Sequence, residues 1–185
     1  LIAYFVTMLK AVFFGFLGVI INDDAIHPQL ITQLLLAENL RFDPDEYYEM
    51  YLGRSDRARL TSILQKRGRF VRDEYLDGLL RKKAELYGEW LRSHSKLALY
   101  AGLDDLLYRI RAQKYTTAIV TGAQRADVEQ VLTLTKLSDH FALVVSASDM
   151  PTAASKPAPE SYLAAIDQLN LLDPALALTP QNCLA

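Results

Sequence analysis

Short apolar runs alternate with segments of helical periodicity over most of the chain. Ala11–Phe14 and Thr116–Val120 are runs of strand-forming residues, and residues 141–145 form a third such run. Strands that alternate with helices in this way predict βαβ units with right-handed crossovers and a parallel sheet. The remaining pattern predicts three helices, at residues 102–113, 126–134 and 159–169, and one short strand at residues 182–185.

A helical block interrupts this alternation after the first strand. Apolar residues follow helical spacing throughout residues 28–94, and no convincing strand pattern is present there. Gly53 is expected to end one helix of this block, and Ser55 with Asp56 forms the start signal of the next. A long helical segment then covers residues 73–94. The sequence therefore predicts an α/β protein with a helical insertion behind its first strand.

The charge and cysteine content narrow the functional classes. A formal net charge of −2 gives no electrostatic reason to expect a nucleic-acid partner. Lys and Arg concentrate between Arg54 and Lys83 but alternate with acidic residues, which predicts a solvated helix face. The single cysteine, Cys183, excludes an internal disulfide and fits a reducing compartment, so we expect a cytoplasmic location. No metal site is predicted from the three scattered histidines, His27, His94 and His140.

The apolar segment from Leu1 to Ile21 could contain either a membrane-spanning helix or a buried strand. Its length would suffice to span a bilayer, and it carries a single charge at Lys10. A Lys at the centre of such a segment costs about 2.5–3.5 kcal/mol on insertion scales. The acidic stretch after Ile21 stands where a signal peptide would carry small residues. We expect a buried strand that begins near Lys10, and a membrane anchor formed by Leu1 to Ile21 is the less favoured alternative.

Three short stretches of the sequence resemble, in order along the chain, the motifs of one known superfamily. Lys10 to Asp24 is an apolar strand followed by a loop, Thr117 to Gly122 is a strand that ends in Thr-Gly, and Ser155 to Glu160 contains Lys-Pro-x-Pro. They resemble three motifs of the haloacid dehalogenase superfamily, and the helical block resembles the cap of its β-phosphoglucomutase and phosphoglycolate phosphatase subfamily. The resemblance implies a Rossmann-like parallel sheet with a helical cap inserted after the first strand. It implies a core domain formed by residues 8–22 and 98–185, and a cap domain formed by residues 23–97.

The resemblance implies a chemistry that this chain has partly lost. In the family, a carboxylate at the strand end attacks phosphorus, a second carboxylate transfers a proton, and Mg²⁺ neutralises the phosphoryl oxygens. The two carboxylate positions hold Gly15 and Leu17 here. Neither residue can attack phosphorus, donate a proton or offer a side-chain ligand. No catalytic residue is therefore expected to be intact, and no metal or cofactor is expected in this chain, whereas Mg²⁺ is expected in active relatives.

A fourth family motif, an acidic pair just beyond a strand, would follow Ala185. The resemblance therefore implies a sheet that is incomplete on its C-terminal side, with the Ala11–Phe14 strand close to an edge. Exposed apolar edges invite association. Self-association or a protein partner at this edge is accordingly expected.

The resemblance also implies that half of a phosphate site is retained. Thr121, the backbone of Gly122 and Lys156 occupy positions with which the family binds phosphate, as suits a hydroxyl, an amide and an ammonium group. Without the resemblance, Thr121 would be interpreted as an exposed strand-end hydroxyl and Lys156 as a solvated loop lysine. Guanidinium groups suit phosphate recognition, and three of them are expected to contact a substrate: Arg54, Arg57 and Arg125.

Three functional hypotheses remain open. The first is a haloacid-dehalogenase-like protein that is catalytically silent, because Gly15 and Leu17 replace both carboxylates, and that binds a phosphorylated small metabolite. The second is a fragment or altered copy of an active Mg²⁺-dependent phosphatase that acts on such a metabolite. The third is a membrane-anchored or protein-interaction module that uses Leu1 to Ile21. Whether the chain is an enzyme therefore depends on the two replaced positions.

Overall fold

The computed structural model of the 185-residue chain describes residues 8–43, 45–46, 54–94, 97, 99–151, 156 and 158–185. Several sequence-based predictions fall on residues outside these ranges, namely Leu1 to Thr7 of the apolar segment, the helix end at Gly53, and Ser155 and Pro157 of the third motif. Within the described ranges, no helix is both long enough and apolar enough to cross a membrane.

The described strands form one parallel sheet. They are β1 (Ala11–Phe14), β2 (Thr116–Val120), β3 (Leu143–Val145) and β4 (Cys183–Leu184), in the order β3-β2-β1-β4. This order confirms the predicted parallel sheet and places the first strand inside it. The third strand is shorter than the predicted 141–145, because Phe141 N donates to Ser138 O and so closes a 3₁₀ turn before the strand begins.

Helices account for most of the remaining described residues. They are α1 (Ile26–Ala37), α2 (Asp56–Lys66), α3 (Asp73–Ser93), α4 (Leu103–Ala112), α5 (Arg125–Thr135) and α6 (Glu160–Leu172). The helical insertion comprises α1, α2 and α3, which lie in the chain between β1 and β2, as predicted. Helix α2 begins at Asp56 because the Ser55 hydroxyl accepts a hydrogen bond from Ala58 N at 3.2 Å. Gly68 follows α2 with φ +73°, a left-handed conformation that glycine adopts without strain.

The apolar core explains how the insertion is attached to the sheet. The two faces of the sheet pack on different helices, with Phe14 and Ile119 facing α4 and α5, and with Val120 facing α6. The insertion has an apolar cluster of its own, built from α1, α2 and α3. Tyr87 and Leu91 of α3, however, belong to the cluster on the sheet, so α3 joins the insertion to the core. The domain bounds at residues 22 and 98 stay a prediction.

The outer side of β1 is only partly paired. β4 pairs with Ala11 and Val12, and within the described residues no strand partner lies beside Phe13 and Phe14 on that side. The side chains of Phe13 and Phe14 are nevertheless buried against the two faces of the sheet. Self-association through this edge therefore stays a prediction.

Candidate anion-binding site

A cavity of about 290 Å³ opens at the carboxyl ends of β1 and β2. We call it the strand-tip cavity. Loops that follow neighbouring strands of a parallel sheet meet at this edge, which is where ligands bind in open α/β sheets. Residues singled out from the sequence line it: Gly15, Leu17, Arg54, Thr121, Gly122 and Lys156.

The loop after β1 presents an apolar surface to the strand-tip cavity. A Cβ atom built on Gly15 would lie 3.1 Å from Val19 Cγ2, so Val19 occupies space that a side chain at position 15 would need. Leu17 is half-buried against the core cluster on the sheet. Asp24 also lines the cavity, and burial together with the neighbouring Asp23 carboxylate raises the pKa of Asp24. The strand tip therefore offers no carboxylate at the two positions from which the resemblance expects chemistry.

The loop after β2 contributes a hydroxyl and a close backbone approach. Thr121 N donates to Val145 O at 2.9 Å, and the Thr121 hydroxyl accepts from Ala123 N at 3.1 Å, which leaves its own hydrogen available as a donor. A Cβ built on Gly122 would lie 3.3 Å from the backbone of Arg54. Glycine at this position therefore lets the helical insertion come close to the tip of β2.

Lys156 is held over the same strand end. Its ammonium group donates to Val120 O at 2.9 Å and lies 5.1 Å from the centre of the Tyr162 ring. A lysine ammonium has three N–H donors, so donors remain for a ligand after the bond to Val120. The half-buried Lys156 thus provides a positioned positive charge beside Thr121.

The three arginines named from the sequence have different positions. Arg54 lines the strand-tip cavity, and its Nη1 donates to Ser62 Oγ at 3.3 Å. Arg57 forms ion pairs with two acidic residues at the start of α3, and it lines two neighbouring pockets, of about 20 Å³ and about 420 Å³, but not the strand-tip cavity. Arg125 does not line the strand-tip cavity, because it pairs with Asp149 at 2.7 Å and donates to Val144 O at 2.8 Å. Of the three, Arg54 is placed to contact a ligand there.

The comparison with known proteins decides the family. The haloacid dehalogenase-like hydrolase family matches residues 12–176, which is most of the chain. The chain belongs to this family. Protein CbbY of Rhodobacter capsulatus is 26% identical to it over 181 residues, which are 96% of this chain and 76% of that protein.

Solved structures of haloacid dehalogenase-like proteins share the fold. β-Phosphoglucomutase from Clostridium difficile has a TM-score of 0.79 at 21% identity, with 95% of this chain and 74% of that one covered. CbbY from Rhodobacter sphaeroides, solved in complex with phosphate, has a TM-score of 0.78 at 18% identity, with 95% and 76% covered. These likenesses confirm the Rossmann-like α/β fold with its helical insertion after the first strand.

The family implies Mg²⁺, and the residues of the strand-tip cavity do not fit this ion. Mg²⁺ demands near-octahedral oxygen coordination and is usually held by one or two carboxylates. Gly15 and Leu17 provide no side-chain oxygen, and Asp24, beside Gly18, is a single carboxylate. Within the described residues, no group of three or more His, Cys, Asp or Glu side chains is arranged to hold a metal.

A buried ionic cluster beside the cavity was missed from the sequence. Lys83 of α3 lies 2.7 Å from Asp56 of α2 and 3.0 Å from Asp127 of α5, and Arg59 of α2 lies 2.6 Å from Asp56. All four side chains are at most 3% exposed. The predicted solvated face between Arg54 and Lys83 is therefore wrong for Arg59 and Lys83, because each finds buried acidic partners. These four residues, Asp56, Arg59, Lys83 and Asp127, are called the ionic cluster below.

The pKa values within the ionic cluster follow from burial and pairing. Burial alone would raise the pKa of Asp56, but Lys83 and Arg59 outweigh burial and lower the pKa of Asp56 to about 2. Burial would lower the pKa of Lys83, whereas its two carboxylate partners raise it. For Asp127, burial and the neighbouring Asp56 charge prevail over Lys83, and the pKa of Asp127 is raised. Asp56 is thus held ionised more firmly than Asp127.

A second buried polar group lies where the loop after β1 enters the helical insertion. Asp23 accepts a hydrogen bond from the Tyr87 hydroxyl and lies 3.2 Å from Nε2 of His27. Both Asp23 and His27 are almost fully buried. Burial, followed by the effect of Asp23, raises the pKa of Tyr87, which keeps its hydroxyl protonated as a donor. His27 is therefore a buried, hydrogen-bonded histidine that fastens α1 to α3.

Proposed function

We propose that the chain is a catalytically silent member of the haloacid dehalogenase-like hydrolase family that binds a small phosphorylated compound in the strand-tip cavity. One observation carries the proposal: the cavity has lost both catalytic carboxylate positions, to Gly15 and Leu17, but still contains Thr121, Gly122 and Lys156. The chain thus combines an anion site with a strand tip that lacks a nucleophile. The cytoplasmic location expected from the single cysteine belongs to the same proposal.

The proposed loss of catalytic activity follows from the chemistry of the two missing carboxylates. An aspartyl-phosphate requires a carboxylate within reach of phosphorus, and loss of a nucleophile lowers turnover by several orders of magnitude. The other nearby carboxylates do not replace it. Asp23 is buried against Tyr87 and His27, and Asp24 lies beside Gly18, with an Oδ2 atom 2.8 Å from where a Cβ of residue 18 would be.

The anion binding rests on charge and donors that converge on the cavity. Lys156 supplies an ammonium group and Thr121 a hydroxyl hydrogen, and Arg54 also lines the cavity. Charge-assisted hydrogen bonds of this kind are about twice as strong as neutral ones. The structure of CbbY from Rhodobacter sphaeroides in complex with phosphate supports the same class of ligand for this chain.

Titration calorimetry with inorganic phosphate tests the proposal. We expect saturable binding by the 185-residue chain, weakened about tenfold or more in Lys156→Met, because a charge-assisted hydrogen bond is lost. Lys82→Met is the matched control, since Lys82 is an exposed residue of α3. Absence of binding, or equal binding by Lys156→Met and the control, would contradict the proposal.

A second candidate is an altered copy of a working Mg²⁺-dependent phosphatase. The retained Thr121, Gly122 and Lys156 favour this alternative over a loss of the whole site. The Gly15→Asp/Leu17→Asp variant tests it, and Val19→Ala should be added because Val19 crowds position 15. Mg²⁺-dependent phosphate release by this variant, with none by the parent chain, would show that only the carboxylates are missing.

A further inference from the structure

The strand-tip cavity has two chemically different ends. Thr121 and Lys156 place donors and a positive charge at the tip of β2. At the tip of β1 the same cavity is bounded by Gly15, Leu17 and Val19, which carry no polar side-chain atom, and the Asp24 carboxylate beside Gly18 also lines it. An anionic group and an apolar group would therefore find matching surroundings only a few side chains apart.

Desolvation decides which ligands suit the apolar end. A hydroxyl or phosphoryl oxygen placed against Leu17 and Val19 would lose hydrogen bonds to water, and neither of these two side chains can replace them, which is unfavourable. An apolar group at the same place would remove both its own surface and that of the two side chains from water, which is favourable. The exposed fraction of Val19 is 45%, so much of its surface is still available for burial by a ligand.

We propose that the ligand is an organic monophosphate with an apolar substituent, whose phosphoryl group binds at Thr121 and Lys156 and whose substituent contacts Leu17 and Val19. This inference rests on the proposed function and adds the chemical class of the ligand. The cavity volume of about 290 Å³ lies at the lower limit of typical small-molecule sites, which are about 300–1,000 Å³. The substituent is accordingly a short alkyl chain or a single ring.

A series of phosphonates separates the two ends of the cavity. Binding of inorganic phosphate, methylphosphonate, propylphosphonate and phenylphosphonate is measured by calorimetry at one pH and one ionic strength. Because each buried methylene contributes a roughly constant transfer free energy, affinity should rise about fourfold for each added methylene. Phenylphosphonate should bind at least about tenfold more tightly than inorganic phosphate.

Two variants locate the apolar contact. The ratio of phenylphosphonate affinity to phosphate affinity should fall towards one in Leu17→Asn and in Val19→Ser. Val19→Ser is included because Val19 is exposed, whereas Leu17 packs partly on the core and its substitution can impair folding. Leu106→Asn serves as the control, since Leu106 lies on the exposed surface of α4 and should leave the ratio unchanged.

The outcomes distinguish this inference from the proposed function. If inorganic phosphate binds through Lys156 but all phosphonates bind no more tightly, the apolar-ligand inference is overturned and the proposed anion site stands. If an affinity gain persists in both Leu17→Asn and Val19→Ser, the apolar contact is elsewhere and the inference is also overturned. If neither phosphate nor any phosphonate binds, both the inference and the proposed function are overturned.

Discussion

The strand-tip cavity and the ionic cluster lie side by side but differ in how their charged groups are paired. In the cavity, the two positions that carry carboxylates elsewhere in the family hold Gly15 and Leu17, and Lys156 is half-buried with donors to spare. In the ionic cluster, two carboxylates and two cations are almost fully buried and paired with one another. Arg59 belongs to both regions, because it pairs with Asp56 and also donates to Arg54 O at 3.0 Å.

The difference indicates what each region is for. Charges that are buried and mutually paired have little left to offer a ligand, and breaking one such pair leaves an uncompensated charge inside the protein. A charge at the edge of a cavity is inexpensive to remove from the fold but decisive for an anion. We therefore expect substitutions in the ionic cluster to change stability and substitutions in the cavity to change binding.

The largest effect is expected from Lys83→Met. Removal of the ammonium group leaves Asp56 and Asp127 close together and buried without their shared cation. The free energy of unfolding should fall by about 3–5 kcal/mol, measured by urea denaturation. The neighbouring Lys82→Met, on the exposed side of α3, should change it by no more than about 0.5 kcal/mol. Similar values for the two variants would show that the ionic cluster does not hold the insertion on the core.

A smaller and unequal pair of effects should follow from Asp56→Asn and Asp127→Asn. Asp56 balances both Arg59 and Lys83, so its neutralisation should cost about 3 kcal/mol. Within the part of the chain that the structure describes, Asp127 forms an ion pair with Lys83 alone, and its pKa is raised, so its neutralisation should cost about 1 kcal/mol. The order of the two unfolding free energies is the test, and the reverse order would contradict the assignment of charges.

The pH dependence of stability should report Asp56. Its pKa of about 2 in the folded chain lies below the ordinary aspartate value of 3.8, so its contribution to stability is present above pH 3.8 and is lost as the pH falls towards 2. The loss should amount to about 2 kcal/mol, measured as unfolding free energy between pH 5 and about 2 and absent in Asp56→Asn. Asp127 acts in the opposite sense, because its raised pKa makes stability increase as the pH falls towards 3.8.

The smallest effect on stability is expected from Lys156→Met. Lys156 makes one hydrogen bond to Val120 O and a contact with Tyr162, and no carboxylate within the described residues pairs with it. Its substitution should change the free energy of unfolding by less than about 1 kcal/mol in urea denaturation. A loss as large as that of Lys83→Met would abolish the distinction between the two regions.

The sequence predicted the fold well because local patterns determine it. The apolar run Ala11–Phe14 and the β-branched run Thr116–Val120 became β1 and β2 with the predicted bounds. Ser55 capped α2 as its residue type indicated. The family resemblance then supplied what the patterns do not contain, namely that the tips of β1 and β2 meet at Thr121.

The ionic cluster could not be predicted because its partners come from distant parts of the chain. Lys83 shares helical spacing with Leu76, Leu80 and Tyr87, which was a signal that it lies on the buried face of α3. The acceptor on α5, Asp127, is 44 residues away and is brought to Lys83 only by the packing of α3 on the core. Similarly, Arg57 and Arg125 had the right residue type for a ligand contact, but their acidic neighbours became visible only in the folded chain.

The most direct test of the account is a phosphate-release assay on the purified 185-residue chain with Mg²⁺ and a panel of phosphate monoesters. We predict no Mg²⁺-dependent release above a reaction without protein, because Gly15 and Leu17 cannot form or resolve a phosphoenzyme. The Lys156→Met variant, purified in the same way, controls for contaminating phosphatases. Mg²⁺-dependent release by the parent chain that is lost in Lys156→Met would contradict the account.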